Sequence, residues 1–162
     1  MKFDWRTTAH RVVPPTGPDG LQLVHGAKVR EEKPPIFDAC AAAFQINPRV
    51  VFTYGDTIYN PFKLHLPEDL VEHEKIHMAQ HGHSDEGAAL WWGRYLREEA
   101  FRLDQEVAAY GRQYAVLRRK TSDREQLAKW LNALAGSLSG PLYGGCVGHM
   151  EAALLIKQAA EL

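Results

Sequence analysis

The stretch Pro67-Glu68-Asp69-Leu70-Val71-Glu72-His73-Glu74-Lys75-Ile76-His77-Met78-Ala79-Gln80-His81-Gly82-His83 decides how the rest of the chain is read. Pro67 fits the first helical position, Glu68 and Asp69 suit the positive end of a helix dipole, and Gly82 is a natural stop. The spacing therefore predicts a helix over about 67–81. Inside it stands His73-Glu74-Lys75-Ile76-His77, the His-Glu-x-x-His pattern. Residues four apart share a helix face, so two imidazoles can converge on one metal ion. The glutamate after the first histidine then faces the open coordination position and can take a proton from metal-activated water. Zinc suits such a site, because it accepts imidazole and carboxylate tetrahedrally and leaves one position for water. At about 100° per residue, Leu70, His73, Glu74, His77 and His81 fall on one stripe. A shuffled chain with eight histidines and twelve glutamates in 162 residues would show the pattern roughly 0.03 times. A solvated histidine-rich face that binds nothing is thus the weaker reading.

A catalytic zinc site usually has a third protein ligand. His83 lies where His-Glu-x-x-His-x-x-Gly-x-x-His would place its third histidine, but the turn glycine is replaced by Gln80. His81 is one further turn along the same helix, and three successive turns rarely close on one metal. On a second expected helix, 98–119, Glu99, Leu103, Glu106, Tyr110, Tyr114 and Leu117 share a stripe, with Glu98, Arg102, Gln105 and Arg112 towards the other side. Glu106 sits mid-helix on this apolar stripe, where an unpartnered carboxylate is costly and a zinc ion would compensate it. Glu106 is therefore taken as the third ligand, with Glu99 and His83 as alternatives. Glu99 could also orient a ligand histidine from outside the metal.

Upstream, Arg49–Asn60 carries the strongest strand signal, β-branched and aromatic residues around Gly55-Asp56, and predicts a type II′ hairpin. Leu21–His25 and Ala27–Val29 read as short strands among the breakers of residues 1–35, and Asp38–Phe44 as a short helix. Further helices are expected at 88–97, 122–135 and 150–160, with a glycine-rich loop over 137–148. The expected fold is α+β, a small sheet or hairpin with four to five helices. Residues 1–35 are read as a peripheral arm and 36–162 as the main part of a single compact domain.

Hydrophobic residues at 45 % and charged residues at 24 % exclude a disordered chain, and a net charge of −1 gives no support for a nucleic-acid partner. Cys40 and Cys146 are too few for a disulfide framework and are expected as buried free thiols. No apolar run is long enough to span a membrane, and Met1-Lys-Phe-Asp-Trp-Arg6 lacks the apolar core of a signal peptide. A cytoplasmic protein, or one packed into a virion assembled there, is the expectation.

Three segments resemble small phage- or prophage-encoded metallopeptidases of the zincin type: Tyr54-Gly-Asp-Thr-Ile-Tyr59, His73-Glu-x-x-His-x-x-Gln80 and Phe101-Arg-x-x-Gln-Glu106-x-x-Ala-Tyr110. Ser139-Gly-Pro-Leu-Tyr-Gly144 fits the same impression. His73, His77 and Glu106 resemble the ligand set of the gluzincin branch, in which two helices supply His, His and Glu. The resemblance covers roughly residues 48–160 and implies a zincin-like fold, one zinc per chain, Glu74 as the catalytic base and a peptide or protein substrate. It departs at Tyr110, where better-known gluzincins carry an aspartate that holds a ligand histidine. It also implies that the 49–60 hairpin lines the cleft and offers its backbone to an extended substrate. Tyr143 and His149 are candidates to stabilise an oxyanion. Trp91, Trp92 and Trp130 are read as packing residues. Two other functions stay open: a metal-stabilised structural or assembly protein with little or no hydrolytic activity, and a zinc amidase acting on a peptidoglycan stem.

Overall fold

The computed structural model describes residue 17 and residues 19–44, 46 and 48–162. Residues 1–16, most of the breaker-rich start of the expected arm, lie outside that set. The described chain forms four strands and six α-helices, in the order β1 (Leu21–Val24), β2 (Ala27–Arg30), α1 (Phe37–Ala43), β3 (Phe52–Tyr54), β4 (Thr57–Tyr59), α2 (Glu68–Gln80), α3 (Asp85–Arg97), α4 (Glu99–Lys120), α5 (Arg124–Leu138) and α6 (His149–Ala159). A single 3₁₀ turn, Pro141–Tyr143, interrupts the glycine-rich loop between α5 and α6.

The strands make one mixed sheet in the order β1-β2-β4-β3. β1 and β2 are joined through His25 and Gly26, both at positive φ (47° and 76°), which is the two-residue turn that matches strand twist. β3 and β4 are joined through Gly55 at φ 62°, with no positive φ at Asp56, as a type II′ turn requires. β2 runs parallel to β4, with Val29 opposite Ile58. Residues 21–30, read from the sequence as part of a peripheral arm, thus supply half of the sheet. The physical reason is burial: Ala27 and Val29 alternate inward and pack with Ile58, Leu70, Val71 and Met78 under α2. Burying a side chain the size of Val71 or Ile58 contributes roughly 1.5–3 kcal/mol.

The larger core lies among α3, α4, α5 and α6, built on Trp91, Trp92, Tyr95, Tyr110, Leu134, Leu138 and Ile156. Trp130 packs against it partly buried, as expected. α4, the longest helix, touches α2, α3, α5 and α6. Its Gly111 lies so close to α6 that an added Cβ would meet Ala159 Cβ at 2.5 Å.

Helix ends follow local chemistry. Pro67 caps α2 from outside rather than occupying its first turn, and Ser84 and Asp123 accept backbone N–H bonds at the starts of α3 and α5. α2 stops as Gly82 turns left-handed (φ 71°), with Gly82 N–H donating to Ala79 O and His83 N–H to Met78 O. That is a Schellman closure. Of the two cysteines, Cys40 is buried, its thiol pushed up to about 12 by burial, but Cys146 is exposed in the loop before α6. Among the described residues no helix is long and apolar enough to cross a membrane.

Candidate metal centre

The stripe of α2 that carries His73 and His77 packs on the stripe of α4 that carries Glu106. All three side chains are buried. His73 Nε2 and His77 Nε2 stand 3.2 Å apart, His77 Nε2 is 3.4 Å from Glu106 Oε1, and His73 Nε2 is 3.5 Å from Glu106 Oε2. A tetrahedral zinc with bonds of about 2.05 Å would space its ligand atoms about 3.3 Å apart. Glu106 Oε1 accepts from the Tyr95 hydroxyl at 2.7 Å, whereas Oε2 has no hydrogen-bond partner although it is buried. That unpartnered Oε2 faces His73 Nε2, so a buried carboxylate oxygen and a ring nitrogen are left for a cation to engage. The residues fit zinc by donor type as well, two imidazoles and one carboxylate.

The electrostatics couple these side chains to one another. Burial would lower the His77 pKa, but the Glu106 carboxylate outweighs it and pushes the ring up to about 9. Burial would raise Glu106, yet His77 and His73 hold its carboxyl well below the usual carboxylate range.

Each histidine also has an outer partner. His73 Nδ1 meets Gln113 Oε1 at 3.1 Å, and Gln113 Nε2 donates to Asp69 Oδ2 at 2.9 Å. His77 Nδ1 meets Gln80 Oε1 at 2.8 Å, and Gln80 Nε2 donates to the backbone oxygen of Gln105 at 3.0 Å. Tyr110 sets its ring edge-to-face against His73, with ring centroids 4.6 Å apart.

Glu74 is buried beside these three side chains, and its Oε2 accepts from the Thr53 hydroxyl at 2.5 Å. His73, Glu74, His77 and Glu106 share the lining of a cavity of about 70 Å³, walled by Phe44, Phe52, Trp92, Tyr95 and Tyr143 among others. That volume has room for an ion and roughly two waters. Tyr143 hydroxyl pairs with Tyr110 hydroxyl at 3.0 Å. Burial and the nearby Glu106 charge push the Tyr143 pKa well above its ordinary value, so the group is a proton-bearing donor.

Other expected residues fall elsewhere. Glu99 is exposed in the first turn of α4, His83 is exposed beyond the Schellman turn, and neither joins the cluster. His149 is exposed at the start of α6 and meets Asn132 Oδ1 at 2.9 Å, away from the cavity. His81 is buried but touches Trp91, with both ring nitrogens unpartnered. Arg102, read as lying off the apolar stripe of α4, is buried because Nη1 donates to Tyr95 O and the guanidinium lies over the Phe44 ring. The β3 edge is less open than a substrate-pairing strand needs: Trp92 Nε1 already donates to Thr53 O at 2.9 Å. Sequence reasoning missed Thr53, Tyr95, Gln113 and Asp69, and took Trp91 and Trp92 only as packing. Their one common signal, a polar group within reach of an expected site residue or of that residue's partner, exists only in three dimensions.

No known family model, curated protein or solved structure matches this chain.

Proposed function

We propose that the protein is a zinc-dependent hydrolase of peptide bonds, with His73, His77 and Glu106 holding one zinc ion and Glu74 as the general base. The observation that carries this reading is two buried imidazole Nε2 atoms 3.2 Å apart, each within 3.5 Å of an oxygen of the buried Glu106 carboxylate, sharing one cavity with a second carboxylate, Glu74. A bound zinc would polarise the scissile carbonyl and acidify the attacking water. With Oε2 of Glu74 tied to Thr53, Oε1 is the oxygen left to accept the water proton and pass it to the leaving amine. Tyr95 keeps Glu106 oriented, and Tyr143 offers its hydroxyl to negative charge developing on the carbonyl oxygen. A peptide or protein is the substrate class this chemistry serves.

A second reading, a metal-stabilised structural or assembly protein, is favoured by the small cavity and by the Trp92 bond that occupies the β3 edge. Cleavage of an unfolded protein by the zinc-loaded chain separates the two. Hydrolysis that stops with chelator and in Glu74→Gln supports the enzyme. Zinc binding with no cleavage in any form supports the structural protein.

A further inference from the structure

The donor and acceptor inventory around the two histidines carries more than their spacing does. An ionised carboxylate and a backbone carbonyl can only accept hydrogen bonds, whereas a glutamine amide must donate from its nitrogen and accept at its oxygen. Asp69 Oδ2, fully within the protein, takes the amide nitrogen of Gln113, so the amide oxygen faces His73. That oxygen can only accept, so His73 must carry its proton on Nδ1 and present Nε2 bare to the cluster. The same steps run on the other side. Gln105 O takes the nitrogen of Gln80, Gln80 Oε1 faces His77 Nδ1, and Nε2 is left for the metal.

We infer that Asp69 is a positioning residue for the metal centre: it acts through Gln113 to fix the tautomer of His73, with Gln80 doing the same for His77 from a backbone carbonyl. This rests on the zinc reading of the site. Gln113 has no exposed surface at all, and Asp69 sits in the first turn of α2 with Lys120 Nζ 3.8 Å from its other oxygen. Neutral amides orient both rings without adding charge, so Glu106 stays the only anionic ligand. The competing account of Asp69 is that an acid in a first turn merely complements the helix dipole. Glu68, one residue earlier, tests that account. It is exposed, belongs to the same turn and pairs with the same Lys120 at 3.3 Å, but the Gln113 amide donates to Asp69.

The experiment compares zinc affinity and histidine tautomers in wild type, Asp69→Asn, Glu68→Gln, Gln113→Leu and the Asp69→Asn/Gln113→Leu double variant. An asparagine at 69 can donate to the Gln113 oxygen, which lets the amide flip and offer its nitrogen to His73. Losing an outer partner of a ligand histidine costs 10- to 100-fold in metal affinity. Gln113→Leu is expected to fall in that range, Asp69→Asn about tenfold, Glu68→Gln less than twofold, and the double variant no further than Gln113→Leu alone. Long-range ¹H–¹⁵N spectra of wild type should show the proton on His73 Nδ1, with and without zinc. A metal-free wild type with Nδ1 bare, or equal zinc affinities for Asp69→Asn and Glu68→Gln, overturns the inference. Absence of zinc binding in wild type overturns the metal reading instead, and the metal-free spectra then still decide the tautomer. Should Gln113→Leu fail to fold, Asp69→Asn against Glu68→Gln decides alone.

Discussion

His77, in the last turn of α2, and His81, which caps the end of that helix, are both buried and both beside Trp91. Their surroundings differ in one respect. His77 has an oxygen or nitrogen partner at each ring nitrogen, while His81 has none at either. Glu106 pushes His77 up to about 9; burial, reinforced by neighbouring His77 and His83, pushes His81 down to about 4. On the proposed zinc reading, what separates a ligand histidine from a merely buried one is an anion within reach and an outer partner that fixes the ring.

The largest expected effect breaks the comparison at the site itself. His77→Ala or Glu106→Ala should weaken zinc binding roughly 100-fold or more, since structural zinc sites gain on the order of 10 kcal/mol spread over their ligands. His81→Leu should leave zinc affinity unchanged and raise the stability of the fold by about 1 kcal/mol, because it replaces an unpartnered buried polar ring with an apolar one. Dialysis with elemental analysis and thermal unfolding measure both. Equal loss of zinc in His81→Leu would show that partner geometry was the wrong criterion.

Protonation should separate the two rings by pH. For His77 the folded pKa lies above the ordinary 6.5, so its stabilisation of the metal-free protein is fully present below pH 6.5 and is lost as pH rises through about 9. For His81 the folded pKa lies below 6.5, so the unfolded chain binds the extra proton and stability falls as pH drops from 6.5 towards 4. Zinc must displace the His77 proton, so its apparent affinity should rise roughly tenfold per pH unit up to about pH 9. Histidine NMR titrations with and without zinc check all of this. A His77 that titrates near 6.5 in the metal-free protein would remove the basis for the pH trend.

Away from the site, Gly111→Ala should cost about 1–3 kcal/mol, because its Cβ has no room against Ala159, yet leave zinc affinity within twofold. Denaturant unfolding and a zinc titration on the same variant check this pair. A large loss of zinc would mean that the α4–α6 contact sets the position of Glu106.

Much of this was legible because it depends on periods. The four-residue spacing put His73 and His77 on one face, and the α4 stripe picked out Glu106 as a carboxylate on an otherwise apolar surface. Gly55-Asp56 marked the second hairpin for the same local reason, whereas Leu21–His25 and Ala27–Val29 were read only as short strands, with no turn at His25-Gly26. What was not legible depends on contacts between distant segments. Nothing local says that Val29 packs opposite Ile58 across a parallel pair, so β1 and β2 looked peripheral. Nor does the sequence near Glu106 reveal that Arg102 finds Tyr95 O and leaves solvent. Thr53 reaches Glu74 across 21 residues and Gln113 reaches Asp69 across 44, so no periodicity could have found them.

The smallest expected effect concerns His83, the ligand that a linear motif would have chosen. It lies six residues after His77, but Gln80 occupies the position of the turn glycine and α2 continues through it. The chain leaves the helix only at Gly82, and the His83 N–H is then committed to Met78 O at 2.9 Å. That bond holds the residue at φ 54°, with its side chain exposed and outside the ligand cluster. His83→Ala should therefore leave zinc affinity within twofold, keeping the backbone bond while removing the ring. His83→Gly should do the same and relieve the left-handed backbone cost, so that its thermal stability is at least that of His83→Ala. A tenfold loss of zinc in both variants would mean that the end of α2 unwinds on metal binding and that His83, not Glu106, completes the site.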